Sequence, residues 1–502
     1  MEQKLARLKT LLAEVVDLNA AAALLGWDQQ TYMPPGGTEA RGNQLGTIQS
    51  LAHIKFTSDE VGKLLEDLAQ DTAGLDPDSD DAHLVKVTAR DYEKATRVPP
   101  EFVAEFALVT TRAYEAWTEA RAKSEFPIFR PHLEKIVEMG KQFVSFFPPA
   151  DHPYDILLDQ FEPGMKTADV KGIFEALRPR QVELLKAIRT RSQVDDAFLH
   201  LDYPEKEQWD FGVDVVTKFG YDWKRGRQDK APHPFTTSFS INDVRITTRF
   251  EPGSGVSALF STMHEAGHAM YEQGNNLAYE RSPLAGGASH AIHESQSRMW
   301  ENLVGRSLPF WEHFYPRFKE LFPSQLGNVD LKSFYKGINK VNPSFIRVEA
   351  DEATYNMHIM LRLELEMAVT EGKVMVKDLP ELWNSKMEEF LGIVPPDDAR
   401  GVLQDVHWSS GLMGYFSTYA LGNLVSAQLW EKINQDIPDL PDQIRQGRFD
   451  SLLHWLHAKV HLLGRKYEPQ ELVQKITGSK IEAAAAPYLR YLQGKFGEIY
   501  GL

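Results

Sequence analysis

Apolar residues recur along most of this chain at three- and four-residue steps, and that rhythm restricts it to a helical fold. Leu5, Leu8, Leu11, Leu12, Val15, Val16 and Leu18 begin the pattern. It returns over about 39–53, 59–69, 82–96, 100–124, 131–147 and 168–191. It resumes over about 254–274, 290–306, 351–370, 376–391 and 414–435, with helices again near the C-terminus. Pro and Gly clusters, such as Pro34-Pro35-Gly36-Gly37 and Pro395-Pro396, punctuate these stretches. One segment departs from the rhythm. Pro234–Phe250 is rich in Thr, Phe, Ile and Val with partial alternation, and Asn242-Asp243 suits a turn, so a β-hairpin or two edge strands are expected there.

No linker rich in Gly, Ser or Pro divides the 502 residues. The expected architecture is mostly α: one large domain over 1–502, two helical lobes flanking a cleft, and a small β element near 234–250. The formal net charge of −16 gives no general basic face for nucleic acid. The N-terminus is an amphipathic helix pattern, and the apolar run 20–25 is too short to span a bilayer. A soluble, cytoplasmic protein with no membrane partner is the expectation. With no cysteine in the chain, thiol catalysis is excluded and any metal must be held by His, Asp or Glu.

The sharpest local signal is His264-Glu265-Ala266-Gly267-His268. Histidines at i and i+4 lie about 40° apart around a helix, so both imidazoles reach one ion. Glu265, next to the first histidine, can lean toward a water on that ion. This is the HExxH arrangement of zinc peptidases. Catalytic zinc takes a third protein ligand. Gly274 stands where a metzincin would have its third histidine. Glu294, on the next helix after the Gly286-Gly287 reversal, is the remaining choice, with Glu272, His290, His293 and Glu301 as competitors. His293 reads better as a neighbour of a ligand than as one.

With these residues in view, the chain resembles the metallocarboxypeptidases of the Taq type, peptidase family M32. The resemblance runs over essentially the whole chain: Trp27-Asp28 with Met33–Gly37, His233-Pro234-Phe235, Asp243–Thr247, His264–His268, His293–Gln296, Ile346–Glu352 and Gly401–Trp408. It implies a helical fold with a deep groove, a metal on the groove floor and a homodimer. It implies release of single C-terminal residues from peptides with broad specificity. Zinc is the implied metal, with cobalt able to substitute. His264, His268 and Glu294 are then the ligands and Glu265 the general base.

His407 and Tyr415 are the expected oxyanion donors. Related helical peptidases of the thimet oligopeptidase type place a His and a Tyr about eight residues apart, and Gly411 and Gly414 suggest a mobile loop between them here. A carboxypeptidase must also read a free carboxylate, for which the planar arginine fork is suited. Arg347 is the first choice, then Arg400, then Arg245, although each suits an ordinary salt bridge equally well. The hairpin edge could hold an extended peptide, or Asp243 and Arg245 could simply pin it together. An endo-oligopeptidase or dipeptidyl carboxypeptidase would share the same metal site. A peptide-binding protein without turnover would have no need of Glu265.

Overall fold

In α1 (Glu2–Thr31), Leu5, Leu8, Leu11, Leu12 and Val15 are buried, and the helix runs on through Trp27. α2 (Thr38–Phe56) lies against it and buries only Ala52. α3 (Asp59–Asp71) and α4 (Asp80–Arg97) complete an N-terminal layer. Its apolar cluster is separate from the main core and includes Val61, Leu65, Leu84 and Val85, with Tyr279 and Leu284 joining from farther along the chain. This is a computed structural model that describes residues 1–71 and 74–502; about 68% of it is helical.

The main body follows. Its first helices are α5 (Pro100–Lys123), α6 (Phe126–Ser145), α7 (Pro153–Leu158), α8 (Thr167–Arg189) and α9 (Glu205–Phe219). After a small sheet come α10 (Ser257–Gln273), α11 (His290–Arg298), α12 (Leu308–Leu321), α13 (Pro323–Leu326), α14 (Leu331–Ile338), α15 (Tyr355–Thr370), α16 (Leu379–Leu391) and α17 (Ser417–Asp436). α18 (Leu440–Arg445), α19 (Asp450–Lys459), α20 (Pro469–Thr477) and α21 (Ala485–Tyr500) close the chain. One apolar core runs through this body from Ala113 to Tyr500.

The hairpin forms where alternation predicts it. β2 (Thr236–Ser240) and β3 (Asp243–Thr248) pair antiparallel, with Thr236 opposite Ile246 and an irregularity between Ser238 and Ser240. Val244 and Ile246 point into the core. β1 (Gln228–Lys230) adds a third strand, parallel to β3, giving the order β1-β3-β2. Three residues are too few to show a period, so β1 is absent from the sequence reading.

Other departures have physical causes. α9 and α12 were not anticipated; in α12 the aromatic density and the internal Pro316 obscure the helical stripe. The expected helix 290–306 is α-helical only to Arg298 and continues as a π turn, Met299–Val304. Gly305 N–H bonds Trp300 O at 2.9 Å, an i to i−5 closure that marks the wider turn. The helix expected from 414 begins at Ser417. The residues before it are no loose loop: Leu403, Ser409 and Phe416 are almost wholly buried.

Candidate active site

Two glycines let three helices meet at backbone contact. A Cβ on Gly267 of α10 would stand 2.6 Å from Ser297 Cα of α11. A Cβ on Gly422 of α17 would stand 2.6 Å from Glu294 Cβ. α11 is therefore clamped between α10 and α17, with Glu294 facing the two histidines. Glu294 Oε2 lies 3.8 Å from His264 Nε2 and 3.6 Å from His268 Nε2. The three ligand atoms all fall within 4.8 Å of one another, and no other group of His, Cys, Asp and Glu among the described residues does so.

The far side of each ring is held. His264 Nδ1 meets Glu301 Oε2 at 2.9 Å, and that glutamate comes from the π turn. His268 Nδ1 meets His293 Nδ1 at 2.6 Å, and His293 Nε2 meets Glu272 Oε1 at 2.7 Å. Holding Nδ1 fixes the ring and aims Nε2 into the site. Arg298 donates to Glu294 Oε1 at 2.6 Å and to Glu301 at 3.1 Å, so the two glutamates are spaced by one cation. Two imidazole nitrogens and one carboxylate oxygen converge with their other atoms engaged. That donor set fits a catalytic zinc ion.

Electrostatics follow from this packing. Burial opposes the charge on Glu294, but Arg298 and the histidines outweigh it and hold its carboxyl well below the usual range. Glu301 is likewise pulled to about 2, against burial, by Arg298 and His264. Burial drives Glu265 upward, partly offset by His264 and Thr236. Glu265 is 7% exposed, and Thr236 Oγ1 of β2 donates to its Oε2 at 2.7 Å. The sheet edge thus borders Glu265.

A second wall comes from distant parts of the chain. Asp405 accepts from Arg347 Nε at 3.0 Å and Nη2 at 2.9 Å, and from Arg362 Nε at 2.7 Å. Arg347 Nη1 also donates to Tyr355 Oη at 2.8 Å. Two buried guanidiniums against one carboxylate leave a net positive charge. His407 Nε2 lies 3.2 Å from Tyr419 Oη, and its Nδ1 lies 3.9 Å from Asp405 Oδ1 with no hydrogen bond among the described residues. Burial brings His407 down to about 4, so it is neutral at pH 7. Tyr415 stands 5.6 Å from the His407 ring and 5.4 Å from the His290 ring, centroid to centroid. Burial and the charge of Glu294 raise its hydroxyl to about 12, so it remains a donor.

The structure therefore brings His264, Glu265, His268 and Glu294 together, and sets His407, Tyr415 and Arg347 into one neighbouring cluster. Arg400 and Arg245 find their partners elsewhere. Arg400 is on an exposed turn, paired with Asp397 at 2.6 Å. Arg245 forms a double hydrogen bond to Asp243 and is sandwiched between Trp27 and Phe239, 4.4 and 4.8 Å from their ring centroids. It ties α1 to the sheet. Sequence reasoning missed Thr236, Arg298 and the Asp405 bridge. Arg298 had a signal in its i+4 spacing from Glu294, and Arg347 and Asp405 lie in two of the resemblance blocks, although nothing in the sequence pairs them.

A helical body in which the two histidines of an HExxH helix meet a carboxylate from the next helix, with the buried Glu265 beside them, defines a metallopeptidase. A family model described as Carboxypeptidase Taq (M32) metallopeptidase matches residues 7–496. The chain is 39% identical over 498 residues to thermostable carboxypeptidase 1 of Thermus thermophilus, covering 97% of each. It is 37% identical over 491 residues to carboxypeptidase 1 of Bacillus subtilis, covering 98% of this chain and 97% of that one. It superposes on the M32 carboxypeptidase from Deinococcus radiodurans R1 with a TM-score of 0.96 at 41% identity, over 100% of both chains. The chain belongs to the M32 family of metallocarboxypeptidases.

Proposed function

We propose that this protein is a zinc-dependent carboxypeptidase that releases single residues from the C-termini of peptides, with His264, His268 and Glu294 as metal ligands. The observation that carries the reading is the pairing of a metal triad flanked by Glu265 with a buried, net-positive Arg347–Asp405–Arg362 cluster beside Tyr415. When bound, zinc supplies Lewis acidity, which acidifies a water and polarises a carbonyl. Glu265 takes the proton of the attacking water and returns it to the leaving amine. Thr236 holds Glu265 in place without removing its basic oxygen from the site. Tyr415 and His407 donate to the oxygen on which negative charge develops.

Arg347 reads the substrate's terminal carboxylate. Three of its five N–H groups are engaged by Asp405 and Tyr355, which leaves two for a ligand. Arg400 does not fit that role because it sits on an outer turn, and Arg245 is committed to the sheet. Cobalt as a substitute metal and a homodimer belong to the same proposal, on the strength of the family resemblance.

The test is a mass ladder. An N-terminally blocked peptide is incubated with the protein, with and without a chelator, and product masses are followed in time. Stepwise loss of single C-terminal residues is expected, abolished by chelator and absent when the C-terminus is amidated. Internal or dipeptide cuts would support an endo-oligopeptidase or dipeptidyl carboxypeptidase instead. No cleavage of any peptide by the metal-loaded protein would point to a binding protein.

A further inference from the structure

We propose that Glu366 is a positioning residue for the reaction: from α15 it grips the 407–415 segment next to each end and sets where His407 and Tyr415 stand. The inference rests on the reading of those two residues as transition-state donors. Glu366 is 1% exposed. Its Oε1 accepts the indole N–H of Trp408, which follows His407, at 2.7 Å. Its Oε2 accepts the backbone N–H of Gly414, which precedes Tyr415, at 3.0 Å. The same oxygen accepts the hydroxyl of Tyr154 at 2.6 Å.

One turn earlier on α15, Arg362 donates to Asp405, so the helix holds the segment at residues 405, 408 and 414. Gly414 has nowhere to go on its other side. Its φ is +95°, and a Cβ there would stand 2.6 Å from Leu157 O of α7. The segment is also cross-braced internally, with Leu412 N–H bonding His407 O at 3.0 Å.

The choice of residue is informative. Three neutral donors converge on both oxygens of Glu366, and among the described residues no cation hydrogen-bonds to it. Burial makes such a carboxylate costly and raises its pKa, and the charge of Arg362 one turn away offsets this only in part. A glutamine would avoid that cost but offers only one acceptor, with an NH2 in place of the other. Only a carboxylate satisfies both ends of the segment at once.

The experiment is steady-state kinetics per metal-loaded chain, on a blocked peptide, at a temperature well below unfolding. In Glu366→Gln the amide oxygen serves Tyr154 and Gly414, because two donors meet there, and its NH2 then opposes the Trp408 indole. The kcat is expected to fall about ten- to a hundredfold, with KM within about twofold and bound metal unchanged. Adding Trp408→Phe removes the opposed donor and should recover at least about threefold of the lost kcat. An unchanged kcat, a rise in KM alone, or no recovery in the double variant would overturn the inference.

If Glu366→Gln does not fold, a single donor removal decides. Trp408→Phe, which removes one hold on the segment, should lower kcat several-fold with KM and bound metal unchanged. An unchanged kcat, or a change in KM alone, would overturn the inference. Tyr415→Phe is run alongside. If Tyr415→Phe turns over normally, the transition-state reading fails and this inference fails with it. If it is slow while Glu366→Gln is not, only the role of Glu366 is lost.

Discussion

Between residues 264 and 301, α10, α11 and a π turn carry the converging histidines and glutamates and the partners that orient them, with Thr236 lent from the sheet. The second wall assembles Arg347 from a turn, Tyr355 and Arg362 from α15, Asp405, His407 and Tyr415 from a buried irregular segment, and Tyr419 from α17. The first wall is built by helix periodicity and two close glycine contacts. The second is built by side-chain hydrogen bonds between elements far apart in sequence. The contrast suggests a division of labour. On the proposed reading, the helical wall would fix the ligand atoms to one frame, and the irregular wall would offer donors whose placement depends on what grips the segment.

The largest test separates the two duties within the first wall. Glu265→Gln should lower kcat by about 10²–10⁴-fold while metal content stays at the wild-type level. His264→Ala should lose both, as read by metal analysis and turnover. A fast Glu265→Gln enzyme would take that residue out of the base role.

A pair of glycine variants sharpens the comparison between walls. Gly422→Ala pushes a methyl against Glu294, so metal affinity should fall about ten- to a hundredfold, measured by competition with a chelator. Gly414→Ala forces a side chain into a positive-φ site against Leu157 O, next to Tyr415. It should lower kcat with metal affinity unchanged. If each variant altered both quantities equally, the two walls would not be separable.

A smaller effect concerns the joint between them. Glu162 is fully buried beside the start of α11 and accepts the Ala291 N–H at 2.5 Å. Burial pushes its carboxyl up to about 8, against hydrogen bonds from Ser289 and Ala291. The folded value lies above the unfolded one, so its contribution is complete below about pH 4.5 and is lost as pH rises through about 8. Glu162→Gln keeps the acceptor and does not titrate. Its Tm should match wild type near pH 5 and exceed it by a few degrees at pH 8. A constant offset at both pH values would show that Glu162 is ionised throughout.

The smallest expected effect is that of Arg400→Ala. With its side chain exposed and its partner three residues away, kcat and KM should both stay within about twofold. A large rise in KM would return Arg400 to the carboxylate-reading role.

What could be read from the chain alone follows the same division. Helix geometry fixes the relation between i and i+4, so the pairing of His264 with His268 and the position of Glu265 are properties of a pentapeptide. Alternation in 236–248 marks the hairpin for the same local reason. Glu294 needed more, since its approach depends on Gly267 and Gly422 allowing three helices to touch, and the family resemblance singled it out among five carboxylates and histidines. The choice among Arg347, Arg400 and Arg245 was open in the sequence because an arginine's meaning depends on its partners. Asp405, Asp397 and Asp243 supply those partners, and only the folded chain separates a buried bridge from an exposed turn or a sheet-bound pair. The buried grip of Glu366 on Trp408 and Gly414 had no sequence signal at all. It joins residues dozens of positions apart through hydrogen bonds whose geometry comes from packing, and no local period encodes that.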